Sequence, residues 1–445
     1  MGKAIKKRRR LTSFQIILIG FVGVIVLGAL ILMLPFSSKS GVVTPFNQTL
    51  FTATSAVCVT GLVVQDTATY WSEFGQAVIL LMIQIGGLGV ITIAASFALL
   101  SGKKISFSQR STMQNAISAP KVGGIVKLTG FVIKGTALIE AVGAALMMPV
   151  FIHDYGPRGI WMAVFHSVSA FCNAGFDLMG QPDAKFSSMT SYSANPYINT
   201  ILMLLIVIGG IGFLTWEDIV VHKWRFKHYR MQSKVVLITS AILLFAPAVL
   251  FFFRDFADAP MGERILASLF QSVTARTAGF NTMDLSSMTR ISLAVFIGLM
   301  LIGGSPGSTA GGMKTTTIAV LLLNAITTFR RREDPECFGR RIDAGAVKLA
   351  STIFLMYITL CFSAAAIICG VEKLPLGVCL FETASAVGTV GVTLGITPQL
   401  GMLSQALLIL LMFLGRVGGL TVIYAAISGS TKKMSKLPQE KITVG

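Results

Sequence analysis

Residues 388–392 read GTVGV, within the stretch FETASAVGTVGVTLG at 381–395, which carries no charge after Glu382. Glycines and β-branched residues alternate here in a pattern that is neither a good helix nor a good strand, since each helix-interior glycine costs about 1 kcal/mol. The surroundings are very apolar: of 445 residues 53% are hydrophobic and 13% charged, against about 25% charged in soluble domains. Irregular backbone at membrane depth persists only when protein buries it or when it lines an aqueous cavity. The stretch therefore needs a physical reason to exist.

Eight apolar runs, near 14–34, 75–100, 130–152, 197–216, 235–253, 290–327, 345–370 and 402–428, are long enough or nearly so to cross a membrane as helices, which takes about 20 residues. The net charge of +18 is unevenly placed. The segments 1–10, 101–134, 217–234, 314–348 and 432–445 hold 28 of the 37 Lys and Arg but 7 of the 19 acids. A Lys/Arg excess marks the cytoplasmic side, so both termini are expected inside, in a multi-pass protein; the resemblance given below implies a bacterial plasma membrane. This placement argues for lipid headgroups as partners and against nucleic acid. No cleavable leader is expected, and the six cysteines have no metal or disulfide spacing.

GTVGV is not alone. Between successive pairs of spans lie the shorter apolar stretches PFNQTLFTATSAV, IWMAVFHSVSAFC, ILASLFQSVTA and PLGVCLFETASAV, of a length that suits re-entrant segments. Each runs into a glycine tetrad: CVTG (58–61), CNAG (172–175), RTAG (276–279) and GTVG (388–391). The tetrad glycines follow one another at intervals of 114, 104 and 112 residues, which marks internal duplication. Glycine clusters also recur in the second span of each unit: IGGLG (85–89), IGGIG (208–212), IGGSPG (302–307) and GRVGG (415–419). These are read as close-packing sites. The expected fold is an all-α integral membrane protein. It has four parallel helix–pore-loop–helix repeats, giving eight transmembrane helices and four re-entrant half-helices around a pseudo-fourfold central pore. The expected divisions are a basic N-terminus 1–13, repeat 1 at 14–100, a loop and repeat 2 at 101–222, repeat 3 at 223–328, a loop and repeat 4 at 329–429, and a basic tail 430–445.

Four such loops meeting on an axis would turn their carbonyls into one path. Glycine reaches positive φ freely, and ranks of carbonyl oxygens can replace the hydration shell of a monovalent cation. The filter candidates are Val59, Thr60 and Gly61; Asn173, Ala174 and Gly175; Thr277, Ala278 and Gly279; and Thr389, Val390 and Gly391. None of the four tetrads contains a carboxylate, which argues against a divalent-selective site.

These residues resemble the selectivity filters of the Trk/Ktr/HKT superfamily of potassium transport proteins, and GTVGV is similar to the filter string of potassium channels. The resemblance extends over nearly the whole chain. Together with SPGSTAGGMKTTT (305–317), it points most closely to the membrane subunits of bacterial Ktr systems. It implies potassium as the transported ion, because glycine at all four filter positions goes with potassium and serine in the first goes with sodium. It also implies sodium as a candidate activator, a homodimer with one pore per subunit, and a cytosolic ring of RCK nucleotide-binding domains of the KtrA type. No organic cofactor is expected in this chain.

The sixth span contains Gly303, Gly304, Ser305, Pro306, Gly307, Ser308, Thr309, Ala310, Gly311 and Gly312, which cannot sustain a helix. A phosphate-binding P-loop is excluded because Met313 stands where lysine is needed. The break falls beneath the filter and the resemblance implies a gating loop there. Arg416, in the matching span of the fourth unit, is an intramembrane charge and so a functional candidate. It is expected to face the cavity and be anchored by the loop's carbonyls or hydroxyls at Ser305, Ser308 or Thr309. Arg276 is expected to brace the third loop from behind. Glu140 and Lys134 are read as near-interface packing residues, and the four histidines as structural. The main rival function is a sodium-coupled secondary transporter with alternating access. An enzyme would need a convergent acid, base or metal set, and none is evident.

Overall fold

The computed structural model describes residues 12–90, 92–94, 107–117, 123–419 and 421–422. The basic N-terminus, the far end of the second span, most of the 101–122 loop and the basic tail lie outside the described residues.

The first helix, α1 (Ser13–Leu32), is uncharged and opens on a capping box in which Thr12 and Gln15 exchange side-chain and backbone hydrogen bonds. A short helix α2 (Phe46–Val57) follows, then an irregular segment and α3 (Glu73–Leu88). An eleven-residue helix α4 (Phe107–Ile117) precedes the second unit. That unit contains α5 (Ile125–Tyr155), the short α6 (Arg158–Phe171), α7 (Pro196–Gly210) and α8 (Phe213–His222). The third has α9 (Met231–Arg254), the short α10 (Met261–Thr274), α11 (Arg290–Leu301) and α12 (Thr315–Phe329). A two-stranded hairpin, β1 (Glu336–Cys337) with β2 (Arg340–Arg341), leads to the fourth. There α13 (Ala344–Glu372) and the short α14 (Leu376–Gly388) precede α15 (Met402–Val417).

All four short helices begin directly after a proline: Pro45, Pro157, Pro260 and Pro375. Proline has no N–H to lose at a helix start and presets the entry of the chain. The long helices α1, α5, α9 and α13 keep large apolar side chains such as Leu27, Leu138, Phe245 and Leu355 exposed, as hydrocarbon contact requires. The short helices are the reverse: every residue from Phe51 to Val57 and from Phe381 to Gly388 is buried. They form the centre of the molecule.

The packing closes on itself. The helix α3 of the first unit touches the short helix α6 of the second; α7 touches α10, α11 touches α14, and α15 returns to α2. Glycines permit close contact within three units: a methyl built on Gly86 would lie 2.0 Å from Val57 O, on Gly209 2.0 Å from Phe171 O, and on Gly415 2.1 Å from Val387 O.

Among the described residues, four helices (α1, α5, α9, α13) are long and apolar enough to cross a membrane, or five if the bent pair α7–α8 is one span. The second helix of each unit is interrupted. Gly89, Gly212 and Gly418 end α3, α7–α8's first limb and α15 with φ of 86°, 92° and 85°, and α8 leaves α7 at 99°. In the third unit, α11 ends at Leu301 and α12 starts at Thr315. The apolar runs at 75–100, 290–327 and 402–428 are continuous in hydropathy but not in backbone. A positive-φ residue breaks the helical hydrogen-bond ladder whatever the side chains around it.

Candidate ion-conduction site

The four tetrads meet. A methyl built on Gly61 would lie 2.6 Å from the Ala174 carbonyl oxygen, on Gly175 2.9 Å from that of Ala278, on Gly279 2.5 Å from that of Val390, and on Gly391 2.1 Å from that of Thr60. Each glycine thus abuts the next unit's backbone, and the fourth abuts the first. The ring leaves no room for a side chain.

The backbone repeats more faithfully than the sequence. In every tetrad the glycine and the residue two positions before it have positive φ: Val59 and Gly61, Asn173 and Gly175, Thr277 and Gly279, Thr389 and Gly391. For β-branched Val59, Thr277 and Thr389 this conformation is a genuine outlier, of the kind that costs about 1–3 kcal/mol and survives where surrounding structure enforces it. Hydroxyls in the last turn of the short helices hold the loops. Gly61 N–H donates to Ser55 Oγ and Gly391 N–H to Ser385 Oγ, both at 3.1 Å. In the other two units the hydroxyl donates instead, Ser169 to Phe176 O (2.7 Å) and Thr274 to Phe280 O (2.6 Å). The sequence reading passed over these residues, although a hydroxyl five or six positions before each tetrad glycine was there to be seen.

Each tetrad also carries a buried side-chain polar atom without a protein partner: Thr60 Oγ1, Asn173 Nδ2, Thr277 Oγ1 and Thr389 Oγ1, with Arg276 Nε as a second one in the third tetrad. Native proteins rarely leave such atoms unpaired. Backbone carbonyls and hydroxyls with no carboxylate suit a monovalent cation as passing cargo. A cavity of about 110 Å³ touches all four tetrad glycines from one side, with Asp66 and Asp177 in its wall. Asp66 is itself engaged, accepting from Thr69 N–H (2.7 Å) and Phe186 N–H (2.8 Å). Glu382, buried in α14, accepts from the hydroxyls of Thr393 (2.7 Å) and Thr397 and so pins the loop leaving the fourth tetrad.

On the other side lies the 302–314 segment, whose irregular backbone is served by its neighbours. Ser305 N–H donates to Gly210 O (2.9 Å), Thr309 N–H to Gly209 O (3.3 Å) and Gly312 N–H to Gly415 O (3.3 Å), while Phe213 N–H donates to Gly307 O (2.7 Å). Arg416 donates to the carbonyls of Thr309 and Gly86 and to Gly87 O at 2.9 Å. It links the loop to the C-terminal carbonyls of α3, where a cation is favoured. Of the three residues expected to anchor it, Thr309 does so through its carbonyl. Ser305 Oγ pairs with Thr315 Oγ1 and Ser308 Oγ with Ser305 O. Lys314 donates to Ala310 O (2.8 Å) and Gly311 O (3.3 Å) at the loop's base. Lys314 and Arg416 share the wall of a cavity of about 390 Å³ with Gly89, Gly307, Tyr357 and Thr421.

Glu140 is buried within α5, accepts from Gln84 Nε2 (3.1 Å), and lies against Cys172 of the second tetrad. A helical pattern cannot say at what depth a lone carboxyl sits. His166, at 2.7 Å from Met162 O through Nδ1, accepts from Leu178 N–H at Nε2 (3.1 Å) and joins α6 to the chain beyond its tetrad. Arg276 is buried behind the third tetrad and donates to Ser240 O (3.4 Å) and Ser240 Oγ (3.2 Å) on α9. Replacing Arg276 with Met is expected to lower thermal stability by an amount in keeping with the loss of a buried charged hydrogen bond, about 1.5–3 kcal/mol. Ser240→Ala should cost less. Thermal unfolding in detergent measures both, and an unchanged melting temperature for Arg276→Met would contradict the brace.

The chain is similar to known transport proteins. A family model described as "TrkH: Cation transport protein" matches residues 3–436. The potassium/sodium uptake protein NtpJ of Enterococcus hirae is 39% identical, covering 98% of both chains. Ktr system potassium uptake protein B of Bacillus subtilis is 36% identical, covering 94% of this chain and 93% of its own. Among solved structures, the potassium transporter TrkH from Vibrio parahaemolyticus superposes with a TM-score of 0.71 at 17% identity, over 95% of this chain and 86% of that one. With its apolar outer helices and central ring of glycine tetrads, this multi-pass membrane chain belongs to the TrkH family of cation transport proteins.

Proposed function

We propose that this chain is the ion-conducting membrane subunit of a potassium-uptake system. The single observation that carries the reading is the closed ring of four tetrads, each repeating the same pair of positive-φ residues. The names of the relatives support potassium, and one of them adds sodium. Glycine at all four filter positions favours the more weakly hydrated ion, because carbonyl dipoles replace its shell at lower cost. In this reading Val59–Gly61, Asn173–Gly175, Thr277–Gly279 and Thr389–Gly391 are the filter. Residues 303–312 with Arg416 are the gate, and sodium acts from outside the filter as an activator. The chain works as a homodimer with cytoplasmic termini, and a cytosolic RCK-type nucleotide-binding ring sets the gate. Support for control in trans comes from the loops between spans, which are too short for an independent nucleotide-binding core.

Reconstitution tests the reading. Unitary potassium currents in a planar bilayer are expected, and slow turnover at a fixed sodium-to-potassium stoichiometry would favour coupled transport instead. Gly61→Ser is expected to lower the potassium-to-sodium uptake ratio of vesicles severalfold, because any Cβ there meets the Ala174 carbonyl at 2.6 Å. An unchanged ratio would count against Gly61 as a filter residue.

A further inference from the structure

Asn173 differs from its counterparts Val59, Thr277 and Thr389 in carrying an amide, and that amide has one protein partner. Thr309 Oγ1, on the 302–314 loop, lies 3.0 Å from Asn173 Oδ1 and 3.0 Å from the Phe171 carbonyl oxygen that ends α6. Asn173 Nδ2 is buried and has no partner. Thr309 is wholly buried, and Gly209 is the only residue type that fits beside the pair, since a methyl there would lie 2.9 Å from both Asn173 Oδ1 and Thr309 Oγ1.

The hydrogen bonding is tighter than a simple contact. One hydroxyl proton cannot serve two acceptors at once. With the amide turned over, Nδ2–H donates to Thr309 Oγ1, whose own proton goes to Phe171 O, and both bonds are made; oxygen and nitrogen of an Asn amide are assigned from such networks. Either way the second tetrad is tied to the loop by one hydroxyl. The far side of the Asn173 amide faces a space of about 10 Å³ shared with Arg276, Val273 and Gly304. Nothing there holds the side chain among the described residues. The fourth tetrad touches the same loop through shape alone, as a methyl built on Gly311 would lie 2.0 Å from Thr389 Oγ1.

We propose that Thr309 is a positioning residue for the filter: its hydroxyl fixes Asn173 while the loop is seated, so that cation selectivity depends on the state of the gate. The inference rests on the reading of 303–312 as a gate. When the loop withdraws, Asn173, at φ 58°, loses the one hydrogen-bond partner that its side chain has. The filter that conducts is then looser than the filter that is closed.

The test uses the full-length protein in vesicles, with potassium and sodium influx measured separately and folding monitored by gel filtration and thermal unfolding. Thr309→Val keeps the shape and removes the hydroxyl. It is expected to raise basal potassium influx and to lower the potassium-to-sodium ratio about fivefold, the factor that one buried hydrogen bond is worth. Thr309→Ser is expected to restore both, and Asn173→Ala to reproduce the fall in ratio. Arg416→Ala serves as the second arm, because it loosens the loop without touching the Asn173 amide. If Thr309→Val raises influx and leaves the ratio unchanged, the coupling is overturned and the gate stands. If Arg416→Ala and Thr309→Val both leave influx unchanged, the gate reading fails as well. A folded Thr309→Val protein identical to wild type, beside an Arg416→Ala protein with raised influx, likewise overturns the coupling alone.

Discussion

Vesicles carrying Gly391→Ala are expected to take up potassium about 100-fold more slowly than wild type. Gly391 sits at φ 95°, a region that L side chains enter at a cost of about 1–3 kcal/mol. A Cβ there would also meet Thr60 O at 2.1 Å and Gly61 Cα at 2.9 Å. Both neighbours are backbone of the first tetrad, so neither can rotate away. A combined cost of about 2.7 kcal/mol on the conducting geometry corresponds to a factor of about 100 in rate. Gly395 supplies the control: its φ is 88°, yet nothing lies within 4 Å of a methyl built on it. Gly395→Ala isolates the conformational cost and is expected to slow uptake far less. Equal effects at 391 and 395 would mean that the tetrads do not form a shared ring at all.

Arg416→Ala is expected to move flux in the opposite direction, raising basal potassium influx at least about tenfold. The guanidinium is half-buried, faces no carboxylate among the described ion pairs, and donates to three backbone carbonyls from two different units. A fixed positive charge about 6 Å from a passing cation costs about 3 kcal/mol at an effective dielectric constant of about 20. Its removal lowers that barrier and releases the Thr309 carbonyl from Gly86 and Gly87. Arg416→Lys should fall between the two, since an ammonium keeps the charge but lacks the planar fork that reaches both anchors. Rubidium influx into vesicles at matched protein content measures the series. Influx unchanged in Arg416→Ala, together with no effect from shortening residues 305–312, would remove the loop and its arginine from the conduction path.

Both predictions begin from residues that stand out in the sequence, but neither could be given a magnitude there. The fourfold spacing of Gly61, Gly175, Gly279 and Gly391 was legible because duplication preserves order, and the short helices were legible because apolar length limits what can cross a membrane. The break at 302–314 was legible from its glycines and proline. The halting of α3, α7 and α15 was not, because Gly89, Gly212 and Gly418 lie in runs whose hydropathy continues past them. Packing partners were illegible as well. The sequence does not say that Lys314 meets the loop carbonyls or that Glu140 meets Gln84 and Cys172, since an ionisable side chain in a helical run does not report what packs against it.

The sequence by itself determined that the chain is a membrane protein of four like units, each with a short helix feeding a glycine tetrad. Local chemistry suffices for that: hydropathy, proline at helix starts and glycine where side chains are forbidden. Only the tertiary structure decided that the tetrads face one another, that Val59, Asn173, Thr277 and Thr389 share the glycines' handedness, and that Thr309 rather than Ser305 or Ser308 meets both Arg416 and the second tetrad. A backbone conformation disfavoured for a β-branched residue is never written in that residue's own preferences. It is held locally by the bonds that close each short helix, such as Thr60 N–H to Ser55 O and Val390 N–H to Ser385 O, both 2.8 Å, and the neighbouring units then pack against it.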